Sequence, residues 1–117
     1  MNENVKKLEG WLIQIGIMPN LKGFSYIKES VELSCYSDIG EVGLTTRIYK
    51  LLAKMHGKSV SSVERNIRHA IQVASDSNKI LRLNNVIGQT VLNVFDKPSA
   101  GILIALLAQK YRTLSVA

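Results

Sequence analysis

Apolar residues recur along this 117-residue chain at intervals of three and four, the spacing that lines one face of an α-helix. Val5, Leu8, Leu12 and Ile15 follow it, with Trp11 on the same side, and predict a first helix over about 4–16 that Gly16 and Pro19 end. Phe24, Ile27, Val31 and Cys35 mark a second over about 24–36, after which Ser37, Asp38 and Gly40 break the chain. Leu44, Ile48, Leu51, Leu52 and Met55 give a third, with Gly57 as its stop. Ser59 is a good N-cap for the next helix, and Ser61 with Glu64 three residues on also fits a capping box. Val63, Ile67, Ala70, Ile71 and Ala74 then repeat the spacing of the third helix. Asn84 to Val91 suit a short helix broken at Gly88, and Pro98-Ser99 open a last helix over about 99–112. That helix is apolar nearly all round (Ile102, Leu103, Ile104, Leu106, Leu107), which puts it at the centre of the core or under a partner. Val91 to Phe95 is the one β-like run, too isolated for a sheet. The expectation is an all-α fold, a compact bundle of about six helices in a single domain over 1–117.

The third and fourth helices carry matching apolar stripes on either side of a three-residue turn, Gly57-Lys58-Ser59. That is the plan of a helix-turn-helix over about 44–75. Ala53 is small where the two helices would cross, Gly57 permits the turn, and Val63 packs the second helix back on the first. The next apolar residue is Ile67, where the commonest pattern would place it at 66. A plain helical hairpin within a bundle shares much of this pattern.

Charge sharpens the picture once it is located. Residues 44–82 carry eight cations and two acids, while the rest of the chain carries seven of each sign, so the whole net charge of +6 sits in one third of the sequence. A concentrated basic segment is the footprint of a polyanionic partner, although basic helices also meet membranes and acidic proteins. With Val63, Ile67 and Ile71 facing inward, the second helix turns Ser61, Ser62, Glu64, Arg65, Arg68 and Gln72 outward. Arginine pairs with guanine, a glutamate accepts from cytosine, and Lys58 and Ser59 near the helix N-terminus suit phosphate. Glu64 also stands at i,i+4 from Arg68, and an ion pair there is the alternative to base readout. Arg47, Lys50 and Lys54 form a stripe on the third helix that fits the DNA backbone or is a solvated face. His69 reads either as a phosphate contact or as a partly buried polar residue beside the core.

Other chemistry finds little support. Cys35 is the single cysteine, which allows no intramolecular disulfide and suits the reducing cytoplasm. Cys35, His56 and His69 have no zinc-like spacing, so neither metal nor cofactor is expected. There is no phosphate-binding glycine loop or nucleophile elbow, so no catalytic residue is assigned and no enzyme is expected. The longest apolar run, Ile102 to Ala108, has seven residues, against about 20 for a membrane span. Trp11 and Met18 read as core, and Tyr26, Tyr36, Tyr49 and Tyr111 are too scattered for a stacking platform.

The stretch from Ile15 to Phe24 (IGIMPNLKGF), the run from Ser62 to Ile71 (SVERNIRHAI), Gly88-Gln89-Thr90-Val91 and Lys97-Pro98 together resemble the C-terminal effector domain of the sporulation master response regulator of Firmicutes. The resemblance covers about residues 8–112. It implies a domain of about six helices that binds a short DNA box with a central CG step, often in tandem copies, and activates or represses transcription. It further implies base reading by Ser62, Glu64 and Arg65, and backbone contact by Arg68 and His69. Ser62 departs from the family's usual arginine. The segment after the reading helix meets the RNA polymerase sigma factor in that family. Ile80, Ile87 and Val91 match that surface, whereas Arg82 replaces a small polar residue and Val116 a lysine. Full-length members carry an N-terminal receiver domain with a phosphorylated aspartate. This chain opens at Met1, so an effector domain without a receiver is expected, either as a stand-alone protein or as a fragment; the polar Asn2-Glu3-Asn4 start suits both.

Together these readings predict a sequence-specific, double-stranded DNA-binding transcription regulator in the cytoplasm, with a homodimer on tandem sites and a sigma factor as further partners. The alternative is a receiver-less interaction module that binds a full-length regulator or sigma factor.

Overall fold

A computed structural model describes residues 2–35, 43 and 47–114, and among these every regular element is helical. The first helix, α1 (Glu3–Gln14), is capped by Asn2, whose side chain accepts from the Asn4 N–H at 2.8 Å. α2 spans Lys22–Ser34, two residues earlier at its start than the apolar spacing predicts. The expected opening of the third helix at Leu44 lies outside the described residues; its described part is α3, Tyr49–His56. α4 follows over Val60–Asp76. A 3₁₀ turn, Lys79–Arg82, leads into α5, Leu83–Ile87. The last helix, α6, spans Ala100–Thr113 behind an Ser99 N-cap. The 3₁₀ turn carries no helical spacing of its own in the sequence. Its logic is that Ile80 and Leu83, three residues apart, are both buried, and three residues per turn is the 3₁₀ repeat.

α2 runs through the middle of the bundle, touching α1, α3, α4 and α6. Its Ile27 and Val31 are fully buried together with Leu8, Leu12, Leu52, Ile67, Leu103 and Leu107 from the surrounding helices, each such side chain contributing about 1.5–3 kcal/mol by leaving water. Ser30 is buried in the same helix and meets the cost of that position by donating its hydroxyl to the Tyr26 carbonyl at 2.7 Å. One glycine sets how closely the bundle closes. A Cβ on Gly23 of α2 would press into the Asn66 carbonyl of α4 and lie 2.7 Å from the Ala70 Cβ, so α2 and α4 meet backbone to backbone only because Gly23 has no side chain.

α6 supplies Leu103, Ile104, Leu107, Ala108 and Tyr111 to the core and leaves Ile102 half exposed. Trp11 lies at the rim rather than in the core, half-buried, with the Lys110 Nζ 5.4 Å from its ring centroid.

Candidate nucleic-acid interface

The turn between α3 and α4 is built from three residues with distinct tasks. Gly57 adopts the left-handed conformation (φ 63°, ψ 39°), which costs a residue with a Cβ about 1–2 kcal/mol. This lets the Lys58 N–H donate back to the Ala53 carbonyl at 2.9 Å and the Gly57 N–H to the Lys54 carbonyl at 3.4 Å, satisfying carbonyls that end the helix. Ser59, extended, then accepts from the Ser62 N–H at 3.1 Å and starts α4. The Ser61–Glu64 capping box does not form: Ser61 is already inside the helix, and the residue three after the true cap is Ser62, which has no long side chain to reach back.

α4 is held along its whole inner face. Val63, Ile67, Ala70 and Ala74 have no exposed surface, and Ile71 has 3%. The displaced apolar position now has a cause. Asn66 faces α2 at the Gly23 contact, and its side chain donates to the Ser62 carbonyl at 2.8 Å, so the core filling falls to Ile67. The reading helix expected from the sequence therefore rests on α2 as well as on α3.

The outer face collects most of the expected contacts. Lys58, Ser59, Ser61, Arg65, Arg68 and His69 are exposed, and Ser62 and Glu64 are half-buried. Ser61, Arg65, Arg68 and Gln72 fall in one row at spacings of four, three and four. His69 is exposed, which removes the reading that places it partly buried beside the core. The ion pair open to Glu64 does form, with Arg68 Nη2 2.7 Å from Glu64 Oε1, and both side chains reach solvent. An exposed i,i+4 pair of this kind is worth only about 0.3–0.5 kcal/mol, so a better partner for either group breaks it at little cost. Arg65 makes no ion pair among the described residues. On α3 and just before it, Arg47, Lys50 and Lys54 are exposed, and Ala53 is buried against the crossing.

Two residues next to this face carry no site signal in the sequence. Tyr49, one of the scattered aromatics, is buried at the start of α3, and its hydroxyl pKa is pushed up to about 12, by burial first and then by the Glu64 charge, with Arg68 opposing. Lys97 arrives from the turn before α6 and donates from Nζ to Gln72 Oε1 at 2.6 Å. No periodic signal links residues 25 apart in an irregular segment, so only the folded chain brings Lys97 to α4.

The segment after α4 is also organised. Asn84 accepts from the Val91 and Leu92 N–H groups at 2.8 and 2.9 Å and donates to the Leu92 carbonyl at 2.8 Å, pinning the chain after α5. Ile87 and Val91 are half-buried, Arg82 is exposed and reaches the Gln14 carbonyl at 3.5 Å, and Ile80 is in the core at 2% exposure. Val116 lies outside the described residues. Among the described residues no three His, Cys, Asp or Glu side chains come together to hold a metal, and no helix is long and apolar enough to cross a membrane.

A short helix, a left-handed glycine turn and a longer capped helix with one buried face and one cationic face define a helix-turn-helix domain of the DNA-binding class. The family model described as sporulation initiation factor Spo0A C terminal matches residues 8–111, and the chain belongs to that family. The family's domain is a DNA-binding effector domain of sporulation, a regulatory class rather than a known enzyme family.

Proposed function

We propose that this domain is a sequence-specific transcription regulator that lays α4 in the major groove of double-stranded DNA. The observation that carries the reading is the division of α4 itself: a fully buried inner face behind an exposed row of Ser61, Arg65 and Arg68. A helix immobilised on one side and cationic on the other presents donors to a duplex without first having to be ordered. In this reading Arg65 pairs with a guanine, Glu64 leaves Arg68 to accept from a cytosine amine, and Ser62 stands beside them. Lys58, Ser59, Ser61, Arg68 and His69 hold phosphates around the N-terminal half of the helix, and Arg47, Lys50 and Lys54 track the backbone more weakly. The protein acts where its DNA is, in the cytoplasm. Arg82, Ile87 and Val91 form the surface offered to a sigma factor, with Ile80 supporting the turn from inside. The half-exposed Ile102 is the contact offered to a second copy on tandem boxes.

The test is titration of a fluorescent duplex carrying a CG-centred box and of a scrambled duplex, each at two salt concentrations. The expected result is preference for the box by about 10–100-fold, the worth of one good base contact at about 1–3 kcal/mol, with affinity for both duplexes falling as salt rises. Equal affinities would leave a DNA binder without base readout. Binding to neither duplex would favour the interaction-module reading.

A further inference from the structure

The turn between α5 and α6 brings a cation to the row of residues that α4 turns outward. Lys97 Nζ donates to Gln72 Oε1 at 2.6 Å, and Gln72 Nε2 donates on to Asp76 Oδ1 at 2.7 Å. Gln72 belongs to the same row as Ser61, Arg65 and Arg68. It stands seven residues beyond Arg65, which at about 1.5 Å per residue is roughly 10 Å along the helix axis. In a helix-turn-helix complex the N-terminal part of the second helix meets base edges, and the major groove is about 12 Å wide. A cation about 10 Å past the base-reading residue therefore falls at the sugar–phosphate strand that bounds the groove.

The turn that carries Lys97 is firmly held. The Asn93 N–H donates to Asp96 Oδ2 at 2.8 Å and the Asp96 N–H to the Asn93 carbonyl at 3.0 Å. Leu92 and Pro98 on either side are buried, and Asn84 pins Leu92 through both its N–H and its carbonyl. Lys97 itself is exposed. Asp76 lies on the same side of α4 and would repel a phosphate approaching there, so a cation at Gln72 also offsets the charge of Asp76.

We propose that Lys97 is a DNA phosphate-contacting residue, a second point of attachment that the α5–α6 turn supplies beside the reading helix. Its partner is a non-bridging phosphate oxygen of duplex DNA, and the contact carries no base preference. The proposal rests on α4 lying in the major groove.

The experiment measures binding of boxed and scrambled duplexes over a salt series by the wild-type protein, Lys97→Gln, Lys97→Arg, Asp76→Asn and the Lys97→Gln/Asp76→Asn double variant. Lys97→Gln is expected to weaken both duplexes by the same factor, about three- to tenfold at low salt, and to lower the salt slope by about one unit. Lys97→Arg should keep the slope, and the loss should persist in the Asp76→Asn background. Thermal melts of all variants should coincide, since the side chain is exposed. An unchanged slope for Lys97→Gln, while the wild-type protein still binds, overturns the proposal alone. A loss that disappears in the Asp76→Asn background overturns it too, because Lys97 would then only screen Asp76. A wild-type protein that binds neither duplex overturns the placement of α4, and the proposal with it.

Discussion

Gly23 of α2 stands against the Asn66 carbonyl of α4, at a distance where no other residue fits. The helix that carries the candidate DNA-reading face is thereby fixed in height and rotation by a residue 43 positions earlier in the chain. Gly23→Ala should force the two helices apart and destabilise the domain by about 1–3 kcal/mol, outweighing the roughly 1 kcal/mol that alanine gains over glycine inside a helix. Gly10, inside α1, has nothing within 4 Å of its would-be Cβ, so Gly10→Ala should stabilise by about 0.5–1 kcal/mol. Urea unfolding of the two variants checks the opposite signs.

Arg65→Ala should lose about 1–3 kcal/mol of specific binding and relax the base preference at one position of the site. Arg65 is exposed in the middle of the outward row and makes no ion pair within the described protein. Competition with single-base variants of the box measures the relaxation. Undiminished discrimination between boxed and scrambled duplexes would show that α4 is turned differently in the groove.

Neutralising Lys50 or Lys54, both exposed on α3, should weaken binding to every duplex about equally and reduce the salt slope by about one unit per lost phosphate contact. A slope that does not move would identify the stripe as a solvated face.

Ser62→Arg should tighten and sharpen binding, because arginine can make the bidentate guanine contact that serine cannot. The position is in the first turn of α4, half-exposed, where an added cation meets the helix dipole at a cost of typically under about 1 kcal/mol. That is smaller than the roughly 1–3 kcal/mol of a good base contact. The ratio of boxed to scrambled affinity at fixed salt is the readout. Equal gains on both duplexes would place the new charge on phosphate.

Tyr49 gives the domain an alkaline sensitivity. Its folded pKa of about 12 lies above the usual value of 10, so the neutral phenol is favoured by folding. That contribution is complete below pH 10 and is lost as pH rises from about 10 towards 12. Tyr49→Phe should remove this part of the pH dependence, and stability profiles of the two proteins should diverge only above about pH 10. Parallel profiles through that range would mean that the hydroxyl reaches water.

The elements of this fold were legible because their signals are local. Glycine at 57 after one apolar stripe and serine at 59 before the next mark a helix end and a helix start, and the spacing of Val63, Ile67 and Ile71 states which face of α4 is covered. Cationic side chains on the opposite face follow from the same geometry, so the outward positions of Arg65 and Arg68 needed no knowledge of neighbours. Local spacing also misled. Ser61 and Glu64 have the right separation for a capping box, but hydrogen bonding at the true start of the helix put the cap on Ser59. Position 66 departs from the common apolar pattern, and α2 approaches it there at Gly23. Ile80 looked available to a partner until packing buried it. Lys97 carried no mark at all of its meeting with Gln72. Periodicity records the direction of each side chain around its own helix axis, a property of a few successive residues. The identity of the atoms on the other side of a contact depends on how distant segments pack around α2, and that was decided only by the folded chain burying its apolar faces together.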